Sequence, residues 1–395
     1  MAPGLLRHDR IPFVSYPYEW PFEMLRDAAL LELDLLEEAL GEGVVIKDGS
    51  PYNVQWRGAS PVFVDVGSFE ALRPGEPWAG YRQFCMLFLY PLLLQAYKGV
   101  ACQPWLRGSL DGISPAECRN VLSTRDLLRR GVLTHVVLHA RLERRHADRR
   151  RDVRAELRAA GFRSELIRAN VRRLRRLITR LERRKTSSEW SGYRDTGPYS
   201  EADTERKDAF VRAATAKRRL SLVWDLGCND GRYSRLAAAD ADYVVALDAE
   251  EPLVGSLYAE LAREQARTIL PLVVDLADPS PGLGWRGAER KSLSERGRPE
   301  LTLCLALVHH LAITRNIPLD EVVRWLRELD SALVVEFAAR DDPMVQRLLA
   351  AKRAGMHADY DRGRFEGLLS ELFAVERSEE LPSRRRSLYF ATPRS

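Results

Sequence analysis

The 395-residue sequence has few cysteines and no long apolar run. Its five cysteines are odd in number, scattered and without a C-x-x-C pair, which argues against a disulfide framework and a cysteine zinc site. The most apolar stretch, residues 85–97, contains Pro91 and is shorter than the ~20 residues that a membrane span needs. The N-terminus also lacks the pattern of a signal peptide. We therefore predict a soluble, cytoplasmic protein without a membrane partner.

Neither sign of charge dominates the sequence as a whole, because 61 Lys and Arg residues are nearly balanced by 56 Asp and Glu residues, which leaves a net charge of +5. The distribution is uneven, since residues 119–185 hold 22 basic and 7 acidic residues, a local charge of +15 on a chain that is otherwise −10. The hydrophobic content of 45% is that of a globular protein and excludes a largely disordered or fibrous one. At roughly 150 residues a domain, the length predicts two or three domains.

Short apolar runs alternate with helical patterns from residue 220 onward, which predicts βα units and a mostly parallel sheet. Strands are predicted at 220–224, 243–247, 269–274, 301–307 and 332–337. Helices are predicted at 232–239, 253–264, 319–329 and 365–372. Two last β-like runs, at 373–375 and 387–391, predict an antiparallel pair at the sheet edge. Residues 278–299, rich in Pro, Gly and Arg, are predicted to form a long loop.

The stretch Asp225-Leu226-Gly227-Cys228-Asn229-Asp230-Gly231 follows the first of these strands. A strand that ends in an acid and turns through glycines into a helix presents backbone N–H groups and the positive helix end to a ligand. The second strand ends at Asp248, where a carboxylate suits the hydroxyls of a ribose, and the third is followed by Asp275. Together these residues predict a nucleotide-type site.

In these motifs the chain from about residue 220 to its C-terminus resembles class I S-adenosylmethionine-dependent methyltransferases. The resemblance implies an α/β fold, a Rossmann-like sheet with an antiparallel C-terminal strand, and S-adenosyl-L-methionine as cofactor. It implies that the cofactor binds at Asp225, Gly227, Cys228, Asn229, Gly231, Asp248, Asp275 and Leu276. Asn229 stands where the family most often has its middle glycine, but asparagine tolerates a positive φ. A dinucleotide oxidoreductase is disfavoured because the G-x-G-x-x-G motif is missing.

Methyl transfer to a hydroxyl or a protonated amine needs a base. His309 and His310 follow the fourth strand, and we favour His310 as the base, with Glu336 on strand five as a second candidate. The alternatives are a histidine that caps the turn and a carboxylate that pairs with an arginine. No metal site is predicted. A segment before the first strand would form a lid or pack on the sheet through Trp190, Tyr193, Tyr199 and Lys207.

Residues 1–118 are predicted to form a small α+β region with a helix at 23–40 and β-like runs at 44–47 and 62–65. The spacing of Asp48, Asn53 and Asp65 resembles the catalytic core of kinase-like phosphotransferases. That resemblance implies Asp48 as a base and Asn53 with Asp65 as Mg²⁺ ligands. Too few residues precede the helix for a phosphate-covering loop and its lysine. We therefore predict a scaffold or acceptor-binding region without phosphotransferase activity; a plain polar turn is the alternative.

Residues 119–187 are predicted to be an Arg-rich connector of long helices, broken near Gly161 and carrying an apolar stripe. Its arginines could bind either the phosphates of an RNA or the acidic residues in the rest of the chain. Pairing with the chain's own acidic residues is at least as natural as an RNA partner. His135 and His139 lie one turn apart, but no third ligand accompanies them, so packing is favoured over metal binding.

The sequence as a whole predicts that residues 188–395 methylate a small or carbohydrate-type metabolite on oxygen or nitrogen, with a histidine deprotonating the acceptor. One alternative is an RNA methyltransferase that uses the basic helices. The other is a non-catalytic, regulatory protein that retains the cofactor-binding fold. No oligomeric state is predicted.

Overall fold

The computed structural model describes residues 8–141, 164–184, 199–353 and 355–394. The chain divides into an N-terminal unit, residues 15–56 and 61–187, and a C-terminal unit, residues 1–14, 57–60 and 188–395. The boundaries expected at residues 119 and 188 stay predictions. Within the described ranges, no helix has the length and apolar character required to cross a membrane.

The N-terminal unit begins with α1 (Phe22–Gly41), which buries one apolar face along its length, as its 3.6-residue pattern predicts. Strand β1 (Val44–Ile46) pairs antiparallel with β4 (Phe69–Ala71), and β2 (Val54–Arg57) forms a hairpin with β3 (Ser60–Phe63). The predicted strand at 62–65 is therefore shifted. Its last residue, Asp65, instead caps a 3₁₀ turn, Val66–Ser68, by accepting a hydrogen bond from the Gly67 amide.

Several helices complete the described part of this unit. They are α2 (Tyr81–Phe84), α3 (Tyr90–Lys98), α4 (Gln103–Gly108), α5 (Pro115–Val121) and α6 (Ser164–Thr179). A π-helical turn, Cys85–Leu89, joins α2 to α3, and another spans Val132–Val137. Helix α6 packs its apolar stripe against α1. The predicted stripe is buried at Val132, Val136, Ile167, Val171, Leu174 and Ile178, whereas Leu142, Leu157 and the break near Gly161 lie outside the described residues.

The C-terminal unit is an α/β sandwich built on one seven-stranded sheet. Its strands are β5 (Val223–Leu226), β6 (Val244–Asp248), β7 (Ile269–Val273), β8 (Leu301–Cys304), β9 (Ala332–Ala338), β10 (Phe373–Glu380) and β11 (Arg386–Pro393). Its helices are α7 (Glu201–Thr215), α8 (Arg232–Ala238), α9 (Glu251–Arg263), α10 (Leu319–Glu328), α11 (Pro343–Ala350) and α12 (Arg362–Leu372). The β5, β6 and β8 strands are buried almost throughout, which explains their continuous apolar sequences.

The sheet order is β10-β11-β9-β8-β5-β6-β7. Strands β5 to β9 run parallel, and β11 lies antiparallel to both β9 and β10. This confirms the predicted Rossmann-like, mostly parallel sheet with its antiparallel C-terminal strand. From β5 the chain proceeds to β6 and β7 on one side and then to β8 and β9 on the other. The order therefore reverses between β5 and β8, where ligands of open α/β sheets bind beyond the carboxyl ends of the strands.

The connection from β7 to β8 contains no helix of the kind that crosses over elsewhere in this sheet. Two short 3₁₀ turns, Trp285–Gly287 and Leu293–Glu295, and a bridge between Leu283 and Arg290 are its regular features. This agrees with the long loop that its Pro, Gly and Arg content predicts.

Candidate active site

The turn between β5 and α8 holds three left-handed residues. They are Gly227 with φ +74°, Asn229 with φ +50° and Gly231 with φ +79°. A Cβ on Gly231 would lie 2.5 Å from Cδ1 of Leu257, so a side chain there meets both backbone strain and a packed leucine. Asn229 adopts the conformation expected of it in place of a glycine, because its short polar side chain tolerates positive φ.

Asp248, the last residue of β6, fixes this turn from the neighbouring strand. Its Oδ2 accepts a hydrogen bond of 2.8 Å from the Asn229 amide, and its Oδ1 accepts one of 2.9 Å from the Glu250 amide. The amides of Gly227 and Cys228 both donate to the carbonyl that precedes Asp248 in β6. Burial raises the pKa of Asp248. The carboxylate thus accepts from the Asn229, Glu250 and Ala249 amides, and of its about four acceptor positions it retains capacity for a ribose hydroxyl.

Asp225 lies inside β5 and is almost fully buried. Its Oδ2 accepts a 2.6 Å hydrogen bond from Oγ of Ser234, which lies on α8. Burial raises the pKa of Asp225 to about 6, against the Ser234 hydrogen bond that favours the ionised form. The sequence interpretation missed Ser234, although a serine early in the helix after a glycine turn is well placed to reach the strand.

Asp275 and Leu276 follow β7 at the same sheet edge and are both half-buried. Oδ1 of Asp275 accepts a 3.0 Å hydrogen bond from the Ala277 amide, and Oδ2 forms a close ion pair with Arg315. An adenine amine at this carboxylate would therefore share it with an arginine that the sequence pattern did not suggest.

The residues after β8 form an unusual turn. Ala306 has φ +53°, a left-handed conformation that costs a non-glycine residue of order 1 kcal/mol or more and is often found at functional sites. The chain then enters a π-helical turn, His310–Thr314, and the ring centroids of His309 and His310 are 4.3 Å apart. His309 is fully buried, and neither ring nitrogen has a hydrogen-bond partner.

Both histidines are held neutral. Burial lowers the pKa of His309 well below its ordinary value. Burial and the Arg386 charge together lower the pKa of His310 to about 4. The two imidazoles are therefore neutral at pH 7 and able to accept a hydrogen bond, but a pKa of about 4 makes His310 a weak proton acceptor.

Glu336 lies within β9 and is the centre of a buried ionic cluster. Its Oε2 is 2.6 Å from Nζ of Lys207, and its Oε1 accepts hydrogen bonds from Arg386 at 3.0 Å and from the Tyr199 hydroxyl at 2.6 Å. The Arg386 guanidinium also donates two hydrogen bonds, of 2.7 and 3.1 Å, to the carboxylate of Asp342. Although burial favours the protonated acid, Lys207 and Arg386 lower the pKa of Glu336 to about 2.

This cluster supports the turn after β8, because Oε2 of Glu336 also accepts a 3.1 Å hydrogen bond from the Ala306 amide. Tyr199 and Lys207, predicted as lid or packing residues, lie in the cluster; Trp190 and Tyr193 lie outside the described residues. Sequence reasoning missed Arg386. Arg386 is the last of three consecutive arginines, Arg384 to Arg386, and only its place at the start of an apolar run distinguishes it as the one that needs a buried partner.

In the N-terminal unit, the structure brings the kinase-like residues together around Ser68. The Asn53 amide donates to the Asp48 carbonyl at 3.4 Å and to Ser68 Oγ at 3.2 Å, and Ser68 Oγ donates to Oδ2 of Asp65 at 2.5 Å.

Glu32 on α1 is fully buried, and its carboxylate oxygens have no hydrogen-bond partner. Burial, followed by the Asp48 charge, raises the pKa of Glu32. Across the described ranges, no three His, Cys, Asp or Glu side chains form a group that could hold a metal.

The basic segment has internal partners. On α6, Arg172 lies 2.6 Å from Glu37 and Arg175 forms a close ion pair with Asp34, both on α1. These contacts show that part of the +15 charge is matched within the same unit.

The two histidines of this region are bound to tyrosines. Nδ1 of His135 lies 2.8 Å from the Tyr81 hydroxyl, and Nδ1 of His139 lies 2.8 Å from the Tyr90 hydroxyl. These contacts agree with the packing role favoured from sequence.

Comparison with known proteins adds a relative that spans nearly the whole chain. The nodulation protein NoeA of Rhizobium meliloti (strain 1021) is 32% identical over 387 residues, which cover 98% of this chain and 81% of NoeA. No protein-family model matches the chain.

Solved structures with partial likeness include two methyltransferases. The N-methyltransferase NodS from Bradyrhizobium japonicum WM9 has a TM-score of 0.36 and 11% identity, over 49% of this chain and 99% of NodS. Magnesium protoporphyrin IX methyltransferase from Synechocystis PCC 6803, solved with bound S-adenosylhomocysteine, has a TM-score of 0.36 and 20% identity, over 57% of this chain and 94% of that enzyme. At these TM-scores neither likeness carries a conclusion about this chain.

Proposed function

The chain belongs to the family of the nodulation protein NoeA, and we propose that its C-terminal unit is an S-adenosylmethionine-dependent methyltransferase. The observation that carries the proposal is the turn after β5, whose left-handed Asn229 is bonded through its amide to Asp248. A glycine-containing turn tied to a strand-end carboxylate, at the reversal of a mostly parallel sheet, suits a nucleoside ligand. The antiparallel β11 argues against an all-parallel dinucleotide-binding sheet.

The residues at the carboxyl edge fit the cofactor. Asp225 and Gly227 would line its methionine end, Asp248 would hold the ribose, and Asp275 with Leu276 would meet the adenine. The cofactor would supply a methyl group on a positively charged sulfur, ready for attack by a nucleophile. The acceptor capacity left on Asp248 supports this fit.

The same proposal gives the residues after β8 their roles. His310, which is neutral, would take the proton of the acceptor, a step for which its pKa of about 4 makes it a weak base, and the buried His309 ring beside it would position His310. Glu336 is better suited to positioning than to proton transfer, because it is paired with two cations and bonded to the Ala306 amide. In this role it fixes the left-handed turn that leads into the histidines.

The acceptor we propose is a small or carbohydrate-type metabolite, methylated on oxygen or nitrogen. The naming of the NoeA relative as a nodulation protein is compatible with a specialised metabolite. The five free, buried thiols agree with the cytoplasmic location predicted from sequence.

For the N-terminal unit we propose a scaffold or acceptor-binding role without phosphotransferase activity. The polar group of Asp48, Asn53, Asp65 and Ser68 is internally hydrogen-bonded, as a retained structural core would be. Calorimetric titration of the full chain with Mg²⁺-ATP is expected to give no heat of binding. Clear binding would contradict this role.

The cofactor site is tested with the full chain by calorimetric titration of S-adenosylhomocysteine. Asp248→Asn is expected to weaken binding at least about tenfold, because an amide accepts fewer of the hydrogen bonds that fix the turn and the ribose. Asp242→Asn is the matched control, since Asp242 precedes the same strand but is exposed and paired with Arg219. An unchanged affinity in Asp248→Asn, or no binding by the natural chain, would overturn the cofactor assignment.

Catalysis is tested by incubating the chain with S-adenosylmethionine and fractionated lysate metabolites and following S-adenosylhomocysteine by mass spectrometry. Once an acceptor is found, His310→Gln should lower kcat by about 10²–10⁴ at saturating cofactor, as loss of a general base does. The exposed His8→Gln serves as the control. Full kcat in His310→Gln would contradict the base assignment, and cofactor binding without any turnover would favour a regulatory binding protein.

A further inference from the structure

The N-terminal unit contains a cavity lined by arginines, separate from the residues discussed for methyl transfer. Its volume is about 340 Å³. The lining residues are Arg130, Gly131, Thr134, His135, Arg173, Arg176, Leu177 and Arg180. No carboxylate is among them. We call this cavity the arginine pocket.

Two elements build the arginine pocket by approaching closely. Gly131 begins the π-helical turn Val132–Val137 with φ +81°, and a Cβ there would lie 2.4 Å from Cδ2 of Leu177 on α6. Only glycine permits this approach, which sets Arg130 opposite the arginines of α6. The shape of the pocket therefore depends on a specific backbone contact, and its four arginines are exposed around it.

The arginines of α6 fall into two groups with different environments. Arg172 and Arg175 pair with carboxylates of α1. Arg173 and Arg176, on the pocket side, form no ion pair with any carboxylate in the described ranges, and neither do Arg130 and Arg180. The Nε of Arg176 donates to the Arg172 carbonyl at 3.2 Å, and Arg176 also borders the cavity lined by the α1 carboxylates without forming an ion pair with them.

The four guanidinium groups around this cavity are exposed, so water and salt screen their mutual repulsion, and an anion between them would turn the remaining repulsion into attraction. The neighbouring imidazole adds no charge, because burial, followed by the Arg173 charge, lowers the pKa of His135 to about 4. The net charge of the lining is therefore that of the arginines, a formal +4.

We propose that the arginine pocket binds a small anion that carries two or more phosphate or sulfate groups. Guanidinium groups match the oxygens of such groups with paired, charge-assisted hydrogen bonds. The cavity has room for a small molecule, and Arg173, Arg176 and Arg180, the last of which directly follows α6, lie within seven positions of one another, about 10 Å along a helix. Every aromatic residue in the described part of the N-terminal unit is at least half-buried, so the stacking surface that single-stranded RNA uses is lacking.

The test is calorimetric titration of the full chain with inorganic triphosphate, with orthophosphate for comparison and a trisulfated disaccharide as the sulfate probe. The pocket variant is Arg173→Gln with Arg176→Gln. The matched control is Arg172→Gln with Arg175→Gln, which removes the same charge from the same helix on its paired side. We expect the pocket variant to weaken triphosphate or disaccharide binding at least about tenfold and the control to change it less than about threefold. Whichever probe binds more tightly identifies the group.

Arg130→Gln tests the pocket from its other wall and leaves α6 unchanged. It is expected to weaken the same probe, and thermal unfolding by circular dichroism checks that each variant folds. Absence of binding by both probes, or equal loss in the pocket and control variants, would overturn the proposal. So would a 20-nucleotide RNA that binds more tightly than triphosphate and loses affinity equally in both double variants, because that result describes a general basic surface.

Discussion

Lys207 Nζ lies 2.6 Å from Glu336 Oε2, and both side chains are almost completely buried. Burial lowers the pKa of Lys207, and the Glu336 charge counteracts this effect. Arg386 adds a second cation on the other carboxylate oxygen, and Asp342 balances it. The group is thus two cations and two carboxylates, neutral as a whole, which is the condition under which buried charges are tolerated.

Replacing Glu336 with Gln should destabilise the chain by about 3–5 kcal/mol, because Lys207 and Arg386 would then share one remaining carboxylate in a buried site. The free energy of unfolding in urea measures the change. The same substitution should also reduce turnover, since the Ala306 amide loses a charged acceptor.

The control for this prediction is Asp242→Asn, which breaks an exposed ion pair with Arg219 in the same unit. An exposed pair is worth at most about 1 kcal/mol. If the two variants lost similar stability, the buried cluster would not have the energetic role assigned to it.

The sheet and the turn after β5 could be predicted because both depend on local sequence. Continuous apolar runs mark strands buried on both faces, and Asp225 and Asp248 lie at or near the ends of such runs. The positive φ of Asn229 follows from the turn geometry that the flanking glycines demand. The predicted strand 301–307 was too long, because after Cys304 the chain turns through the left-handed Ala306.

The buried cluster could not be predicted, because its contacts join residues far apart in sequence. Lys207 and Glu336 are brought together only when α7 packs on the completed sheet. From sequence alone Glu336 is predicted as a proton acceptor at a strand end, whereas in the structure it lies two residues before the end of β9. A sequence shows a charge in an apolar run but does not show which distant charge neutralises it.

The basic segment shows the same limit. Its total charge follows from counting, but the environment of each arginine depends on its face of α6. Adjacent residues point about 100° apart on a helix, so Arg172 reaches Glu37 while Arg173 lines the arginine pocket. Some arginines of the segment therefore pair with carboxylates of the chain, while others are left for an external partner, so one answer does not apply to the whole segment.

Gly231→Ala should destabilise the C-terminal unit by about 1–3 kcal/mol, because the new Cβ meets Leu257 at 2.5 Å and φ is +79°. It should also weaken S-adenosylhomocysteine binding, since the turn would have to shift. Urea unfolding and calorimetry measure the two effects.

Gly367→Ala is the matched substitution, because Gly367 lies inside α12 and a Cβ there has nothing within 4 Å. It should stabilise the chain by up to about 1 kcal/mol. Equal destabilisation by both alanines would show that the strain is not specific to the turn.

The five cysteines should be unreactive in the folded chain. All are buried, and burial raises the pKa of the Cys85 thiol to about 12 and that of Cys228 well above its ordinary value. Because the thiolate is the reactive form, an aromatic disulfide reagent should titrate no thiol within minutes in buffer and all five in denaturant. A thiol that reacts at once in native buffer would show an opening near that cysteine.

Asp225→Asn should stabilise the chain at pH 8, by about 1–3 kcal/mol, and have little effect near pH 4. The folded pKa of Asp225 is about 6, above the ordinary value of 3.8, so the folded state favours the protonated acid. The cost of ionising it is therefore absent below pH 3.8, grows as the pH rises to about 6, and is constant above that. Urea unfolding at pH 4, 6 and 8 measures this dependence, with Asp242→Asn as the exposed control.

The Asp225 result separates a structural from a functional reason for keeping this acid. If Asp225→Asn raises the stability of the chain at pH 8 and also abolishes S-adenosylhomocysteine binding, the natural chain is less stable because it keeps a buried carboxylate that its cofactor site needs. Loss of stability at every pH would instead mean that Asp225 is retained for its hydrogen bond to Ser234. In that case the cofactor assignment would have to rest on Asp248 and the glycine turn alone.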